Sequence, residues 1–412
     1  MRKLLGITLG IMTALGGFVD FGQIVFTMQA GALFGFSLLW ALALGTVAII
    51  VYMEMCGRVA VVAHEPIFSI VRAKLGHRLG LGMLVASNLL NLITCAAELG
   101  GISIALHLLT GWSEKILLLA TTLALGLIIF LLNFQWIERI FGLSGLLMIV
   151  FAVSAVSLKP DWGSIGKALL PRVPLPQGHS GLLYAYFAVG IFSALLMAYE
   201  VHFYSSGAIE EDWTTRDLGE NFIVASLGST LGAVLTAALL VLGGIIFLPR
   251  AIFPDSLGIT ILAGALPFGR KALILALLGV TATLSGAAIE TALSGAYNLC
   301  QFLNLAWGKN LPPKKASVFT ATWISMFVIA LIIAGTGVDP LQLVNISIIF
   351  GMVVLPFTYY PILRVGADKR MMGRHVNSRV VTIVGSAVLV LIVIAAAAAI
   401  PLMIVTNFGQ PS

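Results

Sequence analysis

Eleven apolar stretches divide the chain, and each is long enough to cross a lipid bilayer as a helix. About 20 apolar residues span the hydrocarbon core, and these stretches cover residues 5–30, 34–62, 80–110, 115–134, 138–158, 181–209, 220–247, 271–303, 317–336, 340–363 and 380–405. Of the 412 residues, 59% are hydrophobic and 10% are charged. The sequence therefore predicts an all-α polytopic membrane protein with 11 transmembrane helices, forming one domain over residues 1–412.

The N-terminal residues Met1, Arg2 and Lys3, followed by an apolar run, resemble the start of a secretory signal. The run is longer than a signal core and carries Asp20, so we expect a retained helix. Three cysteines occur without the spacing of a disulfide framework or a zinc site, and they are Cys56, Cys95 and Cys300. We expect no cofactor.

The basic residues indicate the orientation of the chain in the membrane. If the N-terminus is cytoplasmic, the inner side carries 16 of the 23 lysine and arginine residues and the outer side carries 7. Loops on the cytoplasmic side normally hold this excess. We therefore expect a multi-pass plasma-membrane protein with a cytoplasmic N-terminus and an external C-terminus, whose net charge of +6 faces anionic lipid rather than nucleic acid.

Asp20 lies near the middle of the first apolar stretch, with glycines on both sides. A carboxylate at the centre of a bilayer costs about 3 kcal/mol on insertion scales, so it is rarely present without a partner or a function. The glycines indicate that the helix is interrupted at the charge. Such breaks direct backbone groups toward a ligand at the membrane midplane.

A second acid, Glu200, lies inside the sixth stretch, in the sequence SALLMAYE at residues 193–200. Laying the sixth stretch over the first gives two halves of five helices with opposite orientations, as an inverted repeat requires. The sequence thus predicts a 5+5 inverted repeat with broken helices 1 and 6. Repeat one covers about residues 5–158, repeat two about 181–363, and an extra helix about 380–405.

Three other acids lie within apolar stretches. Glu54 precedes Arg58 by one helical turn, so an intrahelical ion pair is expected. Glu98 lies well inside the third stretch, where a buried carboxyl group either carries a proton or pairs with an arginine. Glu290, in the eighth stretch, either lines a cavity or bonds neighbouring helices, and the sequence does not decide between these roles.

The sequence lacks the motifs of a zinc protease, a P-loop ATPase, a serine hydrolase or a dinucleotide enzyme. His107 and His202 each lack a second histidine three or four residues away, so we expect both to be packing residues. The chain is therefore predicted not to be an enzyme. Transport without ATP is the default interpretation.

Several segments resemble the NRAMP family of divalent metal transporters. Residues 28–40 (MQAGALFGFSLLW) are similar to the stretch that follows the family's Asp-Pro-Gly-Asn motif, and residues 20–23 (DFGQ) then occupy the place of that motif. Residues 94–98 look like the family's Thr-Asp-Leu-Ala-Glu, and residues 197–206 look like its Met-Pro-His-Asn-Leu-Tyr-Leu-His-Ser. The chain is identified on these segments as a divergent member.

The resemblance implies that a divalent ion, Mn²⁺ or Fe²⁺, is held between the two broken helices of a monomeric carrier. Carried over by position, the ligands are the side chains of Asp20, Gln23 and Met197 and the backbone carbonyl of Ala194. Carboxylate and carbonyl oxygens suit hard cations, while a thioether disfavours Mg²⁺ and Ca²⁺ relative to softer transition ions. Met197 is also open to interpretation as a flexible packing residue.

The sequence departs from the family at the same site. Phe21 and Ala198 replace the prolines at the two breaks, so unwinding is less enforced by the sequence. Tyr199 and Tyr204 stand where the family has histidines, and Cys95 stands where it has an aspartate. These changes remove groups that the family associates with proton movement.

Of the groups that the family associates with proton movement, Glu98 remains, and Glu200 adds an acid where the family has asparagine. Glu200 is a candidate for a hard ligand, a replacement proton carrier or a salt-bridge partner. Our first interpretation is an importer of Mn²⁺ or Fe²⁺, either proton-coupled or uncoupled. A carrier of Mg²⁺ or of a small organic solute such as an amino acid is second, and a non-transporting sensor or scaffold is third.

Overall fold

The computed structural model describes residues 19–171 and 180–410, which form a bundle of helices. The helices of the first half are α1 (Phe21–Phe34), α2 (Leu39–Ala63), α3 (Ile67–Thr110), α4 (Glu114–Leu131), α5 (Phe134–Gly145), α6 (Ile149–Ser157) and α7 (Trp162–Ala168). Those of the second half are α8 (Gly181–Ala194), α9 (Ala198–Glu210), α10 (Leu218–Ile246), α11 (Leu257–Ala265), α12 (Arg270–Leu303), α13 (Ser317–Gly335), α14 (Pro340–Gly366), α15 (Lys369–Met372) and α16 (Arg379–Val405). Short 3₁₀ turns cover Leu146–Met148, Leu248–Arg250 and Gly373–His375.

The predicted all-helical membrane fold is confirmed. Within the described ranges, 10 segments are long and apolar enough to cross a membrane; one of them combines α5 with α6, and another combines α8 with α9. They correspond to the second to eleventh predicted stretches. The first stretch is described only from residue 19 onward, where it contains the shorter apolar helix α1, and its earlier part lies outside the described residues.

The third transmembrane segment begins earlier than the predicted residue 80. Helix α3 starts at Ile67, and Gly76 interrupts it with φ 77° and ψ 170°. Only glycine adopts this conformation without strain, so α3 consists of a short helical segment followed by the membrane-spanning part. Because the first segment contains polar and charged residues, it does not stand out in the sequence as an apolar stretch.

Helix α11 lies in the linker between the seventh and eighth apolar stretches, which end at residue 247 and begin at residue 271. Its residues Leu257 and Ile261 are buried, and the helix packs against α6 and α12. The preceding segment is fastened to α1, because the Gln29 Nε2 atom donates a hydrogen bond of 2.8 Å to the Pro254 carbonyl. This linker is therefore part of the folded core.

Three helices position the interior of the bundle. The most extensive packing is between α3 and α12, and α3 also packs along α14. Helix α1 packs closely against α10, where Gly31 meets Gly243 and Gly244. Small residues allow helix backbones to approach each other in this way in membranes. The two segments that carry Asp20 and Met197 are thereby held inside a shell of longer helices.

Candidate functional site

Asp20 is the N-cap of α1. Its backbone is extended, with φ −70° and ψ 174°, and its Oδ1 atom accepts a 2.7 Å hydrogen bond from the Gln23 N–H. Glu98 of α3 accepts a 3.2 Å hydrogen bond at Oε1 from the Phe21 N–H. Two carboxyl groups thus satisfy two of the free N–H groups at the positive end of a buried helix. Helix α1 starts directly after Asp20, and the part of the first stretch before residue 19 lies outside the described residues.

The sixth transmembrane segment is broken between Ala194 and Ala198. Residues 195–197 are non-helical, and Met197 has φ −50° and ψ 129° at the N-cap of α9. The Tyr359 hydroxyl of α14 donates a 3.0 Å hydrogen bond to the Leu196 carbonyl inside the break. The break that the sequence predicts is therefore present without a proline, and a side chain from another helix satisfies part of its backbone.

Tyr199 joins the two interrupted segments. Its hydroxyl donates a 3.2 Å hydrogen bond to Asp20 Oδ2, and its carbonyl accepts a 3.1 Å hydrogen bond from the Ser294 hydroxyl of α12. A single residue therefore connects the start of α1, the first turn of α9 and α12. In the sequence, Tyr199 is notable only because it stands where the family has a histidine. No local sequence pattern predicts its contact with Asp20.

Gln23 and Met197 are fully buried, and their candidate ligand atoms already contact other protein groups. Gln23 Oε1 accepts a 2.7 Å hydrogen bond from the Thr27 hydroxyl, while no described residue is a partner for Gln23 Nε2. The Met197 sulfur lies against α14, only 3.1 Å from the position that a Cβ atom on Gly351 would take. Gln23 lies in the first turn of α1 and bonds to Thr27, and Met197 lies in the break of the sixth segment and packs on α14.

Two further acids, Glu200 and Glu290, surround the break without a partner. Both are fully buried, and their four carboxyl oxygens have no hydrogen-bond partner among the described residues. Both lie within electrostatic range of Asp20, as does Glu98. The sequence leaves the role of Glu290 open, and the structure places it beside the interrupted segments.

The acids near the breaks do not form a cluster of metal ligands. Across residues 19–171 and 180–410, no three histidine, cysteine, aspartate or glutamate side chains form a group that could hold a metal ion. The same residues contain two ion pairs, Glu54–Arg58 and Lys74–Asp368, and neither involves the buried acids of the site. Within the described ranges, the buried acids of the site therefore have no basic side chain paired with them.

Glu54 and Arg58 form the expected intrahelical ion pair, with 2.8 Å between Oε1 and Nε. Arg58 also donates hydrogen bonds to the His375 carbonyl at 2.6 Å and to Asn377 Oδ1 at 2.9 Å. This pair fastens α2 to the segment before α16, and it does not contribute to the site.

Neighbouring helices contact Tyr204 and Cys95, at which the chain departs from the family, and the lone histidine His202. Tyr204 donates a 3.0 Å hydrogen bond to Asn221 Oδ1 of α10, and the Cys95 sulfur lies 3.7 Å from the Ala288 carbonyl of α12. His202 packs edge-on against Phe68, with 5.0 Å between ring centroids. These contacts support packing roles for all three side chains.

A helix that starts at a buried aspartate and lies against the break in a second membrane segment is the arrangement of membrane transporters with broken helices. Residues 10–401 match the family model described as "Natural resistance-associated macrophage protein-like". The chain belongs to this Nramp family, and it is a member of a transporter family rather than an enzyme.

Its similarity to individual relatives extends over most of the chain. The divalent metal cation transporter MntH of Levilactobacillus brevis is 25% identical over 402 residues, covering 92% of this chain and 85% of the relative. The MntH protein of Agrobacterium fabrum is 26% identical over 389 residues, covering 88% and 80%.

Solved structures show the same fold. The manganese transporter of Eremococcus coleocola superimposes with a TM-score of 0.78 at 20% identity, covering 100% of this chain and 89% of the other. A nucleobase-cation-symport-1 family transporter with bound bromovinylhydantoin gives a TM-score of 0.60 at 13% identity, covering 97% and 91%. At such identities the likeness concerns the fold alone.

Proposed function

We propose that this protein is a secondary active transporter that imports divalent transition metal ions, Mn²⁺ or Fe²⁺, across the plasma membrane. The observation that carries the proposal is the buried Asp20 carboxylate at the start of α1, which Tyr199 connects to the second break. The similarity to the MntH divalent metal cation transporters supports the choice of a divalent metal cation as substrate. The distribution of basic residues supports a cytoplasmic N-terminus and an external C-terminus.

The proposed ligands are the Asp20 carboxylate, the Gln23 amide oxygen, the Ala194 carbonyl and the Met197 sulfur. All four residues lie at the two breaks and are buried. The Gln23 oxygen accepts one hydrogen bond from Thr27 and keeps a second lone pair for an ion, while the Met197 sulfur, which packs on α14, would have to turn toward the ion. Methionine is flexible enough for such a change.

The proposed transport cycle is alternating access around this fixed site by a monomer. The two repeats, at about residues 5–158 and 181–363, would tilt against each other, while the extra helix at about residues 380–405 lies outside them. Helix α16 fits a peripheral position, because only 17% of the residues in its most apolar 18-residue stretch are buried inside the protein.

Uptake into vesicles made with the purified protein tests the proposal directly. We expect saturable uptake of Mn²⁺ that Cd²⁺ inhibits, since the thioether of Met197 favours the softer ion. Stabilisation of the protein by an amino acid and not by Mn²⁺, measured by thermal shift, would instead identify a carrier of organic solutes.

Replacement of Met197 by alanine separates a transition-metal carrier from a Mg²⁺ carrier. Loss of the sulfur is expected to weaken Cd²⁺ competition about tenfold while reducing Mn²⁺ affinity less, because Mn²⁺ prefers oxygen ligands. Competition measured in the same uptake assay gives both values. A Mg²⁺ carrier that uses Glu200 predicts the opposite pattern, in which M197A is nearly silent and E200Q abolishes transport.

Proton coupling is proposed to depend on Glu98, which contacts the Phe21 N–H at the start of α1. Replacement by glutamine keeps a side-chain oxygen for this hydrogen bond but removes the titratable group. We expect metal entry to acidify wild-type vesicles and not E98Q vesicles, as measured with an internal pH dye. Unchanged acidification in E98Q vesicles would exclude this role for Glu98.

A further inference from the structure

The four proposed ligands leave part of the coordination shell of the ion open. Oxygen-rich sites for Mn²⁺ are octahedral and therefore have six ligand positions, whereas the proposed set consists of Asp20, Gln23, Ala194 and Met197. Acidic, histidine and cysteine side chains do not form a ligand cluster there, since no three of them form a metal-binding group within residues 19–171 and 180–410. The open positions are available to water and to oxygen atoms of other residue types.

The Tyr199 hydroxyl is such an oxygen, and it lies directly beside the Asp20 carboxyl group. Asp20 Oδ1 accepts the 2.7 Å hydrogen bond from the Gln23 N–H, and Oδ2 accepts the 3.2 Å hydrogen bond from the Tyr199 hydroxyl. The tyrosine side chain is completely buried, and its backbone is held by the 3.1 Å hydrogen bond from Ser294. The hydroxyl oxygen is therefore held in place next to a proposed ligand atom.

The distance between the two oxygens suits a shared ion. Neighbouring ligand atoms of an octahedral ion are separated by about 1.4 times the distance from the ion to each ligand. The 3.2 Å between Tyr199 Oη and Asp20 Oδ2 thus corresponds to an ion about 2.3 Å from each oxygen. Mg²⁺ requires about 2.0–2.1 Å, so this pair of oxygens fits a larger cation better.

We propose that the Tyr199 hydroxyl oxygen is a further ligand of the transported ion and that it favours Mn²⁺ over softer ions such as Cd²⁺. The inference rests on the proposed function and adds to that site an oxygen ligand from the first turn of α9. When the ion binds, the hydroxyl turns about its C–O bond, so its hydrogen leaves Oδ2 and a lone pair faces the ion. The hydroxyl keeps its proton, and both oxygens contact the same ion.

The residue at position 199 influences which ion is preferred. A hydroxyl oxygen is a hard ligand, like the side-chain oxygens of Asp20 and Gln23, whereas the Met197 sulfur is soft. The histidine that the family has at this position carries nitrogen atoms, which suit Zn²⁺ and Cu²⁺. Tyr199 therefore increases the share of oxygen in the site and shifts its preference toward Mn²⁺.

The experiment compares Y199F with Y297F in the full-length protein. Y297F is a matched control, because Tyr297 is also completely buried and its hydroxyl also donates to a carboxyl group, at 2.9 Å to Glu210 Oε1 at the opposite end of α9. Isothermal titration gives the dissociation constants for Mn²⁺ and Cd²⁺.

Y199F is expected to bind Mn²⁺ at least about tenfold more weakly, since even groups that only support metal ligands typically contribute about that much. Cd²⁺ binding should weaken less than about threefold, because the softer ion depends more on Met197. Y297F should bind both ions with wild-type affinity. Y199F therefore gives the opposite selectivity change to M197A.

The comparison of the two ions separates a ligand from other roles of Tyr199. If the hydroxyl only positioned Asp20, Y199F would weaken the binding of both ions equally, and if it only covered Oδ2, Y199F would strengthen both. Either result, or unchanged affinities, would overturn the inference while leaving the proposed function intact. Wild-type protein that binds neither Mn²⁺ nor Fe²⁺ would overturn both.

Anomalous scattering from Mn²⁺ bound to the wild-type protein tests the contact without a substitution. An ion within about 2.5 Å of Tyr199 Oη supports the inference, and an ion at a greater distance overturns it.

Discussion

Replacement of Asp20 by asparagine is expected to reduce Mn²⁺ uptake by at least about 100-fold, which corresponds to about 2.7 kcal/mol or more of lost interaction. Asparagine is as good an N-cap as aspartate, so the hydrogen bond to the Gln23 N–H and the start of α1 should persist. The substitution removes the negative charge that attracts the ion, and it also removes one of the hard oxygen ligands of the ion. Uptake of Mn²⁺ by vesicles that contain D20N measures the effect.

A matched control for D20N exists at the start of α14. Asp339 is also a helix N-cap and accepts a 3.0 Å hydrogen bond from the Leu341 N–H, but it is exposed. D339N therefore makes the same chemical change away from the site and should transport Mn²⁺ at the wild-type rate. Wild-type uptake by D20N would disprove the proposed site, and equal losses in both variants would indicate a general defect in folding.

The positions of the two breaks could be predicted because each leaves a mark in the local sequence. An acid within an apolar stretch is costly in lipid, and both Asp20 and Glu200 stand within a turn of a helix start. The ion pair of Glu54 with Arg58 is similarly local, since it needs only a spacing of four residues on one helix. Such features depend on neighbours along the chain.

The contacts within the site could not be predicted, because they join residues that are distant in sequence. Tyr199 bonds to Asp20 across 179 positions, and the Met197 sulfur lies against Gly351 of α14. Hydrophobic periodicity specifies which face of a helix is buried but not which helix it meets. The position of Glu290 relative to Asp20 depends on the same tertiary packing.

The close packing of α1 on α10 also depends on tertiary structure, and it leads to the strongest prediction about stability. A Cβ atom on Gly31 would overlap the Leu240 carbonyl oxygen and lie 2.9 Å from the Gly244 nitrogen. Both are backbone atoms, so the clash cannot be relieved by a change of rotamer. We expect G31A to be destabilised by about 3 kcal/mol or more, at or above the upper end of typical overpacking costs.

Thermal unfolding of G31A in detergent, compared with that of G126A, tests this packing. Gly126 of α4 has no atom within 4 Å of an added Cβ, so G126A makes the same substitution in a transmembrane helix without a clash. Alanine is also the better helix former, and G126A should therefore melt at the wild-type temperature or slightly above it. Because Asp20 is the N-cap of α1, a shift of α1 away from α10 would also displace the carboxylate, and any G31A protein that folds should bind Mn²⁺ more weakly. Equal melting temperatures for G31A and G126A would show that α1 and α10 are farther apart than the structure places them.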